Sequence, residues 1–369
     1  MRNQANNQLS SISRWTVGWG ISSKCNMSCA FCYSLKTRKD CKDLPLEVLM
    51  DFVRRNAGYI ESINYGTGEN PLSENWYSLL RYINTDHPGI NQALTTNGYF
   101  IEASRLRKSV EEDFLCLSEL DVSLDFYNPK RHNEFRGHDN AFKWALGCIQ
   151  EARRIGITTT IVVMGIDETL RISNLKGIFN IAAAYGAYVR INLFRPNAGQ
   201  SQTPCGYSAL KESLLWLAEN YEIVSIADSL LSPLLLNQGS IDRTGLSSLR
   251  ILPDGSITPS TYLTDLPWRI ANIQCADLSR PELLDSFKRK IPRPIPTSCQ
   301  LCNIVPMCQG GVLDRRYIWY GTAKERDPYC PKRFGEDTSV WQPSIITNHK
   351  GGPTIHSKYL PTLIFSPNI

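Results

Sequence analysis

Six short apolar runs recur between Trp15 and Leu193, and a stretch with helical periodicity fills most of the gaps between them. The spacing predicts strands over 15–21, 62–65, 91–95, 119–124, 158–164 and 188–193, and helices over 45–57, 74–83, 103–109, 141–154 and 174–185. In the first helix Pro45 suits the opening turn, and Leu46, Leu49, Phe52 and Val53 share one face. Repeated β-α units predict a parallel sheet with its helices outside. An open doubly wound sheet and a partial barrel both satisfy that alternation. In either, the active site lies at the C-terminal ends of the strands. The polar and glycine-rich segments fall there: the cysteine loop 24–33, Gly66–Pro71, Thr96-Asn97-Gly98, Ser123-Leu124-Asp125, Met164-Gly165 and Arg195-Pro196-Asn197.

The first of these loops holds Cys25, Cys29 and Cys32, three of twelve cysteines in the chain. Clustered cysteines in a reducing compartment point to metal or redox chemistry rather than disulfides. Thiolates select iron–sulfur clusters, zinc or copper(I). Three ligands are one short of a closed site, which leaves an open iron or a fourth ligand from elsewhere, such as Cys41. A second group, Cys299, Cys302, Cys308 and Cys330, is complete, and its Cys-x2-Cys start also suits a zinc knuckle. Cys41, Cys116, Cys148, Cys205 and Cys275 are scattered and read as small buried hydrophobes.

With 42% apolar and 20% charged residues and a net charge of +5, the composition is that of an ordinary globular protein. No long Lys/Arg block indicates nucleic acid. No signal-peptide core or bilayer-length apolar run is present, so a cytoplasmic location and no membrane partner are expected. Past Pro196 the regularity fades. Helices are expected over 206–220 and 226–236, a hairpin turned at Asp254-Gly255, and a proline-rich linker over 290–296. The tail beyond Pro331 ends in an apolar patch, 359–365, that the sequence does not assign to a neighbour.

The cysteine loop, with Phe31 before its last cysteine, resembles the radical S-adenosylmethionine (SAM) superfamily signature. Gly66-Thr67-Gly68-Glu69 resembles that family's glycine-glycine-glutamate loop, which meets the SAM amino group. Ser123-Leu124-Asp125 resembles its fourth-strand motif, which reaches the ribose. Val162–Gly165 and Arg190–Leu193 fall where strand edges line adenine. The resemblance implies a partial (β/α)6 TIM barrel with a small cysteine-rich C-terminal iron–sulfur domain. Its units are 15–225 (barrel), 226–296 (bridge and hairpin), 297–335 (auxiliary-cluster domain) and 336–369 (tail). It implies a [4Fe–4S] cluster on Cys25, Cys29 and Cys32 with one open iron, and SAM contacts from Phe31, Gly66, Gly68, Glu69, Ser123, Asp125, Arg190 and Leu193.

The C-terminal cysteines resemble the SPASM domain of peptide-modifying members, in reduced form. Cys299, Cys302, Cys308 and Cys330 match one auxiliary [4Fe–4S] set, whereas Ser260 and Val312 stand where further cysteines are expected and Cys275 lacks companions. One auxiliary cluster is therefore implied. Arg136, in a run expected as a solvated loop with His132, is a candidate to face SAM or substrate carboxylates. Asp277 is a candidate proton acceptor, with a plain surface carboxylate as the alternative.

The resemblance implies SAM cleavage to a 5′-deoxyadenosyl radical and modification of a ribosomally made precursor peptide. Flavodoxin or ferredoxin would act as reductant. A separate leader-peptide-binding protein would assist, because the segment before Trp15 is short for that task. The runs 123–126, 136–137 and 190–196 are similar to maturases paired with Nif11-type leaders, some of which excise tyramine (spliceases). Cross-linking, thioether formation and epimerisation stay open. A small metabolite such as an aminoglycoside, or a non-catalytic metal scaffold, are the alternatives.

Overall fold

In a computed structural model, which describes residues 14–100, 108, 112–196, 202–344, 356 and 359–367, the six apolar runs form six adjacent strands. These are β1 (Trp15–Trp19), β2 (Ile60–Tyr65), β3 (Asn91–Thr96), β4 (Glu119–Ser123), β5 (Thr158–Gly165) and β6 (Tyr188–Leu193). Each pairs in parallel with the next. Parallel strands need a crossover, and amphipathic helices supply most of them. The helix Leu46–Asn56 buries Leu49, Phe52 and Val53 on one face. Ala141–Ile155 buries Ala145, Cys148, Ile149 and Ala152 and ends at Gly156 in the left-handed region. The helix expected over 103–109 falls outside the described residues apart from Lys108.

The sheet does not stop at six strands. Among the described residues it has eleven, in the order β10-β9-β8-β1-β2-β3-β4-β5-β6-β11-β7. The added strands are β7 (Glu222–Ile226), β8 (Ser248–Ile251), β9 (Ser256–Thr258), β10 (Ala271–Asn272) and β11 (Leu363–Ser366). Strand β8 extends the parallel ladder beyond β1. It turns into β9 through the expected hairpin, with Gly255 at φ 80°. At the other edge β11, from the tail patch, lies antiparallel between β6 and β7.

These pairings correct two expectations. The helix expected over 226–236 is the end of β7 followed by a short helix, Leu231–Leu236. The unit boundary expected at 225/226 cuts β7, and the bridge segment adds three strands to the main sheet. Local periodicity did not carry this because β8 and β11 find partners far away in the chain. No helix of the described residues is long and apolar enough to cross a membrane.

Room for the tail is made on β1. A Cβ on Gly18 would lie 1.7 Å from the Tyr359 hydroxyl, so only glycine admits that ring. One cavity draws wall residues from the loop after β1 round to β6, so the sheet curls about it.

Candidate active site

That cavity lies at the C-terminal strand ends. Cys25, Cys29 and Cys32 all line it, as do Phe31, Gly66, Gly68, Glu69, Ser123 and Leu193. Burial pushes the Cys25 thiol up to about 11, with the Glu69 carboxylate adding to the effect. Burial also raises the Cys29 thiol, against the pull of the Arg136 guanidinium. Thiols held this way stay protonated until a metal displaces their protons. Cys41 does not reach the cavity, so it does not complete the trio.

The second loop is fastened to the first. The Glu69 amide donates to the Lys24 carbonyl at 2.8 Å. Gly68 has φ 66°, and a Cβ there would lie 2.3 Å from that same carbonyl oxygen. This close approach requires glycine. The Glu69 carboxylate accepts from the Thr96 hydroxyl and, at 2.9 Å, from the Asn97 amide. Burial nevertheless outweighs these donors and raises its carboxyl to about 7. Among the described residues no cation forms an ion pair with this carboxylate, and Arg136 lowers it only weakly, so it is suited to a cationic ligand group. Thr67, between the glycines, sits at φ 131°, a strained position for a β-branched residue. Its hydroxyl accepts from the Arg250 guanidinium and contacts the Tyr33 hydroxyl at 3.4 Å.

Arg136 also lines the cavity, but not from a loop. Residues Pro129–Arg136 form a helix, N-capped by Asn128 and closed by Gly137 at φ 69°. His132, expected in solvent, is 1% exposed and accepts from the Asp125 amide at 3.2 Å. Asp125 itself stands behind the wall. It is fully buried, pairs with Arg136 at 2.6 Å and accepts from the Met164 amide at 2.8 Å. The guanidinium so held lies 5.1 Å from the Phe31 ring centroid, and Phe31 stacks on Phe135 at 4.3 Å.

Two further expectations are corrected. Arg190 does not reach the cavity: it is 1% exposed and pairs with buried Asp121 at 3.0 Å. Asn192, two residues on and on the same strand face, reaches the wall instead. Asp277 is remote from the cavity. It lies on the surface, accepting from Ser279 and pairing with Arg280 at 3.1 Å. Ser34, Arg38 and Tyr262 line the wall although no sequence signal had pointed to them. Tyr262 follows β9 and only tertiary packing brings it here.

Cys299, Cys302, Cys308 and Cys330 line one separate small pocket together with Arg326 and Lys332. Burial pushes the Cys308 thiol up to about 12. The four converge although Cys330 is distant in sequence, and their chemistry fits a metal centre of four thiolates. Of the scattered cysteines, Cys41, Cys148 and Cys205 are buried and Cys116 partly so, whereas Cys275 is exposed.

Residues 19–172 match the model of the Radical SAM superfamily. The chain is 23% identical over 349 residues to the AdoMet-dependent heme synthase of Methanosarcina barkeri, covering 87% of this chain and 97% of that one. Fe-coproporphyrin III synthase of the same organism is 26% identical over 165 residues, 42% of this chain and 39% of its own length. Among solved structures, anSMEcpe with bound AdoMet and Cp18Cys peptide is similar at a TM-score of 0.67 and 19% identity, covering 86% of this chain and 94% of that one. Streptococcus suis SuiB bound to S-adenosylmethionine gives 0.68 at 15% identity, covering 86% and 77%. At these identities the structural likeness speaks for the fold: an α/β protein built on a parallel sheet.

Proposed function

We propose, from the match of residues 19–172 to the Radical SAM superfamily model, that the chain is a radical SAM enzyme that modifies a ribosomally made peptide. The observation that carries the chemistry is the meeting, in one cavity, of three thiols from the β1 loop with Glu69 and the glycines beside it. Cys25, Cys29 and Cys32 would hold a [4Fe–4S] cluster with one open iron, and SAM would lie against it. Once bound and reduced, this pair supplies a 5′-deoxyadenosyl radical able to take a hydrogen atom from substrate.

The chain's own residues bind and shield. Glu69 would accept from the ammonium of SAM, and Gly68 lets the loop that carries it close onto the Lys24 carbonyl. Asp125 holds Arg136 in place beside the Cys29 side of the cavity, where its charge favours thiolate over thiol. Val162, Met164, Leu193 and Phe194 give the wall an apolar lining that keeps water from a reactive intermediate. Ser123, also in the wall, would present its hydroxyl to the ribose. Cys299, Cys302, Cys308 and Cys330 would hold one auxiliary cluster, saturated by four thiolates and suited to electron transfer or bracing. Flavodoxin or ferredoxin would supply electrons, and a separate protein would bind the leader segment.

The peptide reading draws support from the fold shared with anSMEcpe, solved with a peptide, and with SuiB, solved with the precursor peptide SuiA. Tyramine excision is the narrowest form of it, supported by the likeness of 123–126 and 190–196 to Nif11-paired maturases. A tetrapyrrole substrate is the second reading, favoured by a heme synthase relative matched along 97% of its length.

Anaerobic reconstitution tests the core: about eight irons and 5′-deoxyadenosine on reduction are expected, and zinc or an absence of SAM cleavage would overturn it. Co-expression with short reading frames beside the gene, followed by mass spectrometry, tests the substrate. Loss of a tyramine unit, loss of hydrogens or altered stereochemistry separates the peptide reactions. Unmodified peptides alongside a consumed porphyrin or aminoglycoside would reject them.

A further inference from the structure

One part of the cavity wall is built by an ion pair that the proposed SAM contacts leave out. Arg195, just past β6, is 2% exposed and lines the cavity. Its Nε donates to Asp314 Oδ1 at 3.0 Å and its Nη1 to the Leu193 carbonyl at 3.1 Å. The guanidinium lies 4.4 Å from the Tyr262 ring centroid. Asp314 is oriented in turn by Ser260, whose hydroxyl donates to Oδ2 at 2.6 Å. Residues from three distant segments thus fix one guanidinium in the wall. Its remaining nitrogen, Nη2, has no hydrogen-bond partner, and neither has Oδ1 of Asn192, three residues earlier on the same wall.

A buried charged donor without an acceptor is costly, and a ligand oxygen recovers that cost. Guanidinium stays charged at any physiological pH and is matched in shape to a carboxylate. Because Asp314 already orients the group, little side-chain freedom is lost when a ligand arrives. The Asn192 oxygen adds an acceptor for an N–H beside that carboxylate. An acidic residue in a peptide offers both groups, whereas a porphyrin propionate offers only the first.

We propose that Arg195 and Asn192 form an anchoring subsite for a carboxylate of the substrate, with Asp314 and Ser260 as positioning residues. This rests on the cavity being the site of SAM cleavage, and it names what the substrate must carry.

The test uses the reconstituted full chain, saturated with SAM and left unreduced, so that binding is read without turnover. Calorimetric titration compares N-acetyl-aspartate methylamide with its asparagine counterpart, and iron coproporphyrin III with its methyl ester. At least one acid is expected to bind about tenfold tighter than its neutral form. Preference within the first pair assigns the carboxylate to a peptide, and within the second to a tetrapyrrole. In the double variant Arg195→Gln/Asp314→Asn, which removes both charges of the pair, the preference should fall within about twofold. Should that variant not fold, Arg195→Lys keeps the charge while losing the fork and should show a reduced preference. Equal binding of acid and neutral forms by the unmodified protein, or a preference that survives in the variants, overturns the proposal. So does a loss of SAM affinity as large as that for the acid, which would give Arg195 to the SAM carboxylate instead. Absence of 5′-deoxyadenosine on reduction of the unmodified protein is a separate failure, that of the radical reading itself.

Discussion

Glu69 is buried in the cavity wall with its carboxyl raised to about 7. In the ligand-free protein the folded state therefore keeps a proton that the unfolded chain releases near 4.5. This contribution to stability is complete below that value and lost as pH rises through about 7. SAM's ammonium needs the carboxylate form, so SAM affinity should increase between about pH 6 and pH 8. Glu69→Gln should weaken binding and flatten that profile in a titration, and an unchanged profile would remove Glu69 from the SAM site. The two cysteine groups separate at the same scale. Cys25→Ala, Cys29→Ala or Cys32→Ala should abolish 5′-deoxyadenosine formation and lower iron by about four per chain. Cys330→Ala should lower iron by a similar amount yet spare part of SAM turnover. Full turnover by any of the first three would refute the assignment.

Strand β11 shows what an element can add that its sequence does not announce. Its four residues are buried and pair with β6 on one side and β7 on the other. An unpaired β6 would otherwise offer its hydrogen-bonding groups to other chains. Phe365→Ala, at a fully buried position, should cost about 3–5 kcal/mol in chemical denaturation. Gly18 provides a sharper check on tail docking. Gly18→Ala should displace Tyr359 and cost about 1–3 kcal/mol, and combining it with Tyr359→Ala should recover part of the loss. No recovery would mean that the tail is not seated against β1. The expected patch at 359–365 was legible as apolar, but its partner was not, because strand pairing at long range depends on register rather than on neighbouring residues.

Across the whole molecule the cysteine-rich segment is bound to the sheet by buried charge. Arg315, in the helix Leu313–Tyr320, pairs at 2.7 Å with both Asp228, beyond β7, and Asp327, near Cys330. All three are fully buried. Arg315→Met would strand two carboxylates and should destabilise the protein by about 3–5 kcal/mol in denaturant unfolding. A change below about 1 kcal/mol would show that the segment is held by other contacts. The sequence by itself determined the order of strands β1 to β6, the two cysteine groups and the glycine–glutamate loop. Each is written in residues close together in the chain, as periodicity, spacing or a backbone that admits only glycine. Tertiary structure decided which side chains face the cavity. Arg190 and Asn192 share a strand face, yet their depth along it sends one into a buried pair and the other to the wall. Asp125 carries the expected motif but spends its carboxylate on Arg136. Arg195, Tyr262 and Asp314 meet only because β8, β9 and the helix Leu313–Tyr320 fold against the cavity, and such convergence depends on packing between residues that no local pattern links.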